Sequence, residues 1–139
     1  VLNPHWDSVL VTMNLNGDYL SDAYAATIGG LGVAPGANVG DRYAMFESTH
    51  GTAPNIAGRN IANPTALLLT MQMMLDHLQW DEAAQLLGQA VEETLRDRKM
   101  TGDLAQAIPG TPALTTTQYA DAVIDTMKRL GPARELGVA

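Results

Sequence analysis

The chain reads as α/β. Three observations predict that class. Short β-branched or aromatic runs occur at 8–13 and 43–47, and three later stretches carry apolar residues at helical spacing. Clusters of Gly, Pro and Asn separate the two kinds of segment, as expected where strands and helices are joined by turns.

The first run, SVLVTM (8–13), follows Pro4 and is expected to be a buried strand. Asn16-Gly17 predicts a turn, after which DYLSDAYAATI forms a short helix stopped by Gly29 and Gly30. LGVAPGANVGD (31–41) is loop-like, and YAMFE (43–47) is a second strand. Asn63-Pro64 is a strong helix start, because Asn caps well and Pro at the first helical position forfeits no hydrogen bond. The helix expected at 64–79 is apolar almost all round (Ala66, Leu67, Leu68, Leu69, Met71, Met74, Leu75, Leu78), the pattern of a buried helix. Its methionines are core filling. Asp81 caps the next helix, about 82–98, with Ala84, Leu87, Val91 and Leu95 on one face. A Thr-rich start at 115–117 opens the last helix, which carries Tyr119, Val123, Met127 and Leu130 on one face and ends at Gly131-Pro132. Two or three strands are few for a sheet, and the chain starts at Val1 rather than Met. Both predict the C-terminal part of a longer domain over residues 1–139.

With 139 residues, 46% apolar and 17% charged, the chain is globular rather than disordered. A net charge of −7 argues against nucleic acid or an anionic membrane as the main partner. The absence of cysteine excludes disulfides, zinc–thiolate sites and thiol nucleophiles, and is compatible with a cytoplasmic setting. No apolar run has the length of a membrane span.

Two stretches carry candidate chemistry. In NLNGDYLSD (14–22), Asp18 and Asp22 are four apart, so on a helix they stack one turn apart on one side. Stacked carboxylates repel unless a cation sits between them, and a hard divalent ion such as Mg²⁺ or Mn²⁺ suits all-oxygen ligation. The plainer reading is that acidic residues favour the start of a helix. The second stretch, ESTHGTAPNIAGRNIANP (47–64), is too rich in Gly, Pro and Asn for one regular element. Its glycines admit a ligand close to the backbone, and N–H groups ahead of a helix suit phosphate. The plainer reading is a long connection with a capped exit. Neither GxGxxG after a strand nor GxxxxGK[ST] occurs, and no GxSxG nucleophile motif is present.

Taken together, MNLNGDYLSDAYAATIGGLGVAPGANVGD and ESTHGTAPNIAGRNIANP closely resemble the isocitrate/isopropylmalate dehydrogenase family, from about Val9 onward and more loosely after Trp80. The resemblance implies an α/β fold without a standard Rossmann motif, this chain being the C-terminal part of the large domain of a homodimer. It implies that Asp18 and Asp22 ligate Mg²⁺ or Mn²⁺, with a third aspartate from the partner subunit. It also implies that Glu47, His50, Gly51, Thr52, Ala53, Asn55, Ile56 and Asn63 form the adenosine-side cradle of a dinucleotide, with Asp103 a further contact.

NADP-using bacterial members carry Lys-Tyr where this chain has Asn55-Ile56, and Tyr and Arg where Gly102 and Gln106 fall. Loss of those phosphate-gripping groups favours NAD over NADP. Ile56 fits the Asp-Ile pair of NAD-using members. Asn55 does not, and Arg59 is a nearby cation that attracts phosphate. Asn14-Leu15-Asn16 and APGANVGD resemble isocitrate enzymes, which implies oxidative decarboxylation of isocitrate to 2-oxoglutarate. Isopropylmalate, homoisocitrate or malate-like substrates, and a non-catalytic regulatory paralogue, are the alternatives. The family's acid–base tyrosine and lysine lie upstream, so no catalytic residue is assigned and the 139-residue chain alone is expected to be inactive.

Overall fold

The structure, a computed structural model, describes residues 9–131. In chain order, helix α1 (Asn14–Ile28) leads through a 3₁₀ turn (Leu31–Val33) into strands β1 (Pro35–Val39) and β2 (Ala44–Ser48). A second 3₁₀ turn (Pro54–Ile56) precedes α2 (Thr65–His77) and α3 (Asp81–Arg96). Then come β3 (Met100–Thr101), the short α4 (Gly102–Ala105), β4 (Ala113–Leu114) and α5 (Thr116–Leu130). The fold is α/β, as expected.

β1 and β2 form an antiparallel hairpin in which Gly36 faces Glu47. A Cβ at Gly36 would lie 2.7 Å from the Glu47 carbonyl oxygen, so the close strand crossing requires glycine there. Buried Thr70 joins the hairpin to α2: its hydroxyl donates to the Glu47 carbonyl and accepts from the Gly36 N–H, each at 3.4 Å. Phe46 on β2 packs its ring 5.4 Å from that of His77 at the end of α2.

The core lies between α2, α3 and α5. Leu87, Ala90, Val91, Tyr119 and Val123 are buried together, with Leu68, Leu75, Leu95 and Met127 packed around them. Burying each large aliphatic side chain contributes about 1.5–3 kcal/mol. A capping box holds the start of α5, since the Thr115 hydroxyl accepts from the Gln118 N–H and the Gln118 side chain accepts from the Thr115 N–H. β3 and β4 pair in parallel beneath α4, which carries Asp103.

Several expectations need correction. Val9–Met13 is not a strand, and Ser8 lies outside the described residues. A strand needs a neighbour for its backbone groups; this run has no paired strand among the described residues, and Val11 stays 91% exposed. α1 begins at Asn14 rather than after a turn at Gly17, so its first turn holds no acidic residue. Its end at Gly29 (φ 136°) and Gly30 (φ 93°) is as read. The 31–41 segment contains β1, because Pro35 opens an edge strand and so removes no ladder bond that strand needs. α2 is not buried all round: Thr65, Ala66 and Thr70 are buried, while Leu67 is 56% and Met71 46% exposed. Met71 lines a cleft with Leu86 of α3 and Ile124 of α5 that is not filled by other side chains, and Leu67 lies outside the buried cluster. Asp81 is the first residue of α3 rather than its cap, and it makes no side-chain capping bond. Pro132 lies outside the described residues.

Candidate functional site

The 49–63 segment is shaped by its own backbone and by α5. Ala53 stands in the left-handed region (φ 43°, ψ 60°) directly before Pro54, a conformation doubly disfavoured for a non-glycine residue ahead of proline. Asn60 is also left-handed (φ 55°). Its side chain donates to the Thr117 hydroxyl at 3.0 Å and accepts from the Thr117 N–H at 3.2 Å. The Thr116 hydroxyl donates to the Ala62 carbonyl at 2.6 Å. The loop is thus pinned to the first turn of α5.

At the loop's exit, Asn63 Oδ1 accepts from the Thr65 N–H at 2.9 Å and from the Thr65 hydroxyl at 2.6 Å. The expected cap is displaced by one residue: Pro64, not Asn63, is the N-cap and Thr65 the first helical residue, and Asn63 bonds the Thr65 N–H from one position further out. The same amide turns its nitrogen outward: Asn63 Nδ2 donates to Asp103 Oδ2 at 2.8 Å, forty residues away in sequence. The Thr101 hydroxyl donates to the other oxygen, Asp103 Oδ1. Behind Thr65 stands the fully buried Tyr119, whose hydroxyl lies 3.0 Å from Thr65 Oγ1. Burial pushes its phenol above the usual range; the Thr65 hydrogen bond lowers it in part, and the charge of Asp103 raises it further.

Around this pair opens a cleft of about 580 Å³, lined among others by His50, Gly51, Ile56, Gly58, Asn63 and Asp103. Thr52 and Ala53 also line it. Gly32 closes the floor, where a Cβ would lie 3.1 Å from Asp103 Oδ2 and 3.2 Å from Asn63 Cβ. A second cleft of about 480 Å³ is lined by Asp18, Ser21, Asp22, Asn38, Glu47 and His50, with Gly51 at its edge. Glu47 Oε1 accepts from Asn38 Nδ2 at 3.0 Å across the hairpin. His50 and Gly51 line both clefts, so the two are neighbours across one wall.

Every residue expected at the site except Asn55 therefore lines one or both clefts. Asn55 is exposed on the 3₁₀ turn beside Ile56. The oxygen-rich lining around Asp18 and Asp22 suits a hard divalent cation, but among the described residues no three His, Cys, Asp or Glu converge. The pair would supply two ligands and leave positions open. Sequence reading missed Gly32, Asn38, Thr65, Thr101 and Tyr119. Gly32 and Tyr119 meet Asn63, Asp103 and Thr65 across long stretches of sequence, which leaves no local pattern, and the short-range bonds of Thr65 and Thr101 matter only once the fold brings Asn63 and Asp103 together.

The model of the isocitrate/isopropylmalate dehydrogenase family matches residues 1–123. The chain belongs to this family. It is 46% identical over 127 residues to isocitrate dehydrogenase (NADP) of Helicobacter pylori, covering 91% of this chain and 30% of that protein. It is 47% identical over 124 residues to isocitrate dehydrogenase (NADP) of Coxiella burnetii, covering 89% of this chain and 29% of the relative. The crystal structure of isocitrate dehydrogenase from Methylococcus capsulatus superposes with a TM-score of 0.86 at 44% identity, over 91% of this chain and 37% of that one. A Thermus thermophilus protein superposes with a TM-score of 0.85 at 41% identity, over 99% of this chain and 27% of that one. The chain spans about 30% of the length of the curated relatives it matches.

These relatives revise the dinucleotide expectation. Their names specify NADP, not NAD. The structure agrees with a weak case for NAD: Asn55 offers an amide but no negative charge to repel a 2′-phosphate, and Arg59 pairs with no carboxylate among the described residues. No helix among the described residues is long and apolar enough to cross a membrane.

Proposed function

We propose that this chain is the dinucleotide-side part of an isocitrate dehydrogenase that uses NADP. The observation that carries the reading is the shared wall at His50–Gly51, which joins the carboxylate cleft to the Asn63–Asp103 cleft. A dinucleotide is an extended ligand, and two adjoining clefts suit one that runs from a reacting centre to a distant base. Asn63 and Asp103 suit the base. After its internal bonds the amide keeps one N–H donor, and the neighbouring carboxylate keeps free lone pairs. A donor beside an acceptor complements adenine, which presents a ring-nitrogen acceptor beside an amino donor.

Asp18 and Asp22 would hold two positions of a Mg²⁺ or Mn²⁺ ion, with a third carboxylate coming from the partner subunit of a homodimer. When bound, such an ion supplies Lewis acidity towards the hydroxyl and adjacent carboxylate of isocitrate. The NADP preference is supported by the names of the relatives and by the missing carboxylate at position 55. Arg59 is the one arginine or lysine in the 47–64 loop, which makes it the loop's candidate for 2′-phosphate contact.

The test is steady-state isocitrate oxidation by the complete protein with Mn²⁺, comparing kcat/KM for NADP and NAD. A preference for NADP of at least about tenfold, or roughly 1.4 kcal/mol, is expected. Equal use, or a preference for NAD, would overturn the cofactor assignment, and turnover of isopropylmalate in place of isocitrate would overturn the substrate.

A further inference from the structure

We propose that Thr65 is a positioning residue for the dinucleotide, an inference that rests on the reading of the Asn63–Asp103 cleft given above. Thr65 is buried at 1% exposure and does not line the cleft, so it acts through Asn63. Satisfying the first helical N–H needs only the bond from the Thr65 backbone to Asn63 Oδ1. The structure adds a second bond to the same oxygen, 2.6 Å from the Thr65 hydroxyl to Asn63 Oδ1.

A threonine hydroxyl has one proton. Asn63 Oδ1 is an acceptor only, so that proton is committed to it. The Tyr119 hydroxyl, 3.0 Å from Thr65 Oγ1, is then the donor in its own contact with Thr65. The shorter contact, 2.6 Å to Asn63 Oδ1 against 3.0 Å to the Tyr119 oxygen, gives the order Tyr119 to Thr65 to Asn63 while the phenol is neutral; the Thr65 proton turns to Tyr119 only when the phenol ionises. Both acceptor positions of Asn63 Oδ1 are filled, and a flip of the amide would bring its NH₂ against the Thr65 N–H. The Thr65 backbone N–H and Asp103 set which way the amide faces, and the Thr65 hydroxyl holds it there with a second bond, so that Asn63 presents an N–H, and not a carbonyl, beside Asp103. With the amide reversed, Asn63 would repel Asp103 and offer the wrong group to an adenine ring nitrogen.

Variants of the complete protein test this. Thr65→Val alone strands the buried Tyr119 hydroxyl, so Thr65→Val/Tyr119→Phe is the informative pair, removing both hydroxyls while keeping apolar shape. KM for NADP is expected to rise roughly five- to tenfold with kcat within about twofold, the signature of lost binding. Thr65→Ser, which restores the hydroxyl, is expected to return KM to within about twofold of wild type. If the double variant folds poorly, Thr65→Ala, whose smaller side chain leaves room for a water beside the Tyr119 hydroxyl, carries the same expectation. A well-folded hydroxyl-free variant with wild-type KM, or Thr65→Ser as impaired as Thr65→Ala, would overturn the inference. Asn63→Ala separates the two levels. Unchanged KM in Asn63→Ala removes the dinucleotide reading itself, whereas a raised KM there with no effect at Thr65 removes only the positioning role.

Discussion

Gly32→Ala is a one-methyl probe of the Asn63–Asp103 pair. The added Cβ would stand 3.1 Å from Asp103 Oδ2, 3.2 Å from Asn63 Cβ and 3.4 Å from Asn63 Nδ2. Contacts that tight require the neighbours to retreat by a few tenths of an ångström. Gly32 does not occupy the left-handed region, so alanine adds no backbone strain. Removing glycine's freedom in the unfolded chain stabilises by about 0.4–1 kcal/mol. Crowding in a packed site costs about 1–3 kcal/mol, reduced here because one side of the pair is an open cleft. The two effects nearly cancel in stability. They do not cancel at the site, where the 2.8 Å bond between Asn63 and Asp103 must lengthen or turn. Loss of one well-aimed hydrogen bond costs about 1 kcal/mol, near fivefold in affinity. In the complete protein, KM for NADP should rise about fivefold while Tm and kcat hold. The assay is initial-rate kinetics beside a thermal melt. An unchanged KM would show that this pair does not touch the cofactor, and a collapsed Tm would show that the floor is rigid rather than adjustable.

Other consequences follow from the same geometry. Asp22→Asn in the complete protein should raise the Mn²⁺ concentration for half-maximal rate and lower kcat, on the order of a hundredfold in combined effect if one ligand is worth two to three kcal/mol; a normal Mn²⁺ titration refutes the ligand assignment. The phenol of Tyr119 is shifted upward, chiefly by burial. Its folded value thus exceeds the unfolded value of 10.0; the neutral phenol's stabilisation is complete below about pH 10 and is lost as pH rises through the folded value. Urea midpoints measured from about pH 9 to about pH 11 should fall more steeply for wild type than for Tyr119→Phe, and parallel slopes would contradict this. Thr115→Ala removes half of the capping box on α5 and should cost about 1 kcal/mol in urea unfolding. A cost near zero would mean that Gln118 and the Asn60 contacts hold that turn without it.

The helices were legible because their signals are local. Asn63-Pro64, the Thr-rich start at 115–117 and the glycine stop at 29–30 each act within one turn; the last two appear where expected, and the first is displaced by one residue, with Pro64 as the N-cap. The failures all involve neighbours that sequence does not name. Val9–Met13 has the composition of a strand and finds no partner strand among the described residues. α2 has apolar residues on every side, but the hairpin, α3 and α5 cover only some of them. β3 and β4 have two residues each, too few to leave a period, yet they carry α4 and so bring Asp103 to Asn63. The family's motifs singled out residues that, Asn55 excepted, line the two clefts. Of the supports behind them, Gly32 and Tyr119 act through long-range contacts, while Thr65 and Thr101 bond residues two positions away; all four emerged only from the fold.

The most direct test is a crystal structure of the complete protein with Mn²⁺, isocitrate and NADP. The account predicts Asp18 and Asp22 on the metal, the dinucleotide crossing the His50–Gly51 wall, and adenine against Asn63 and Asp103. A dinucleotide bound elsewhere, or a metal held without Asp18 and Asp22, would contradict it.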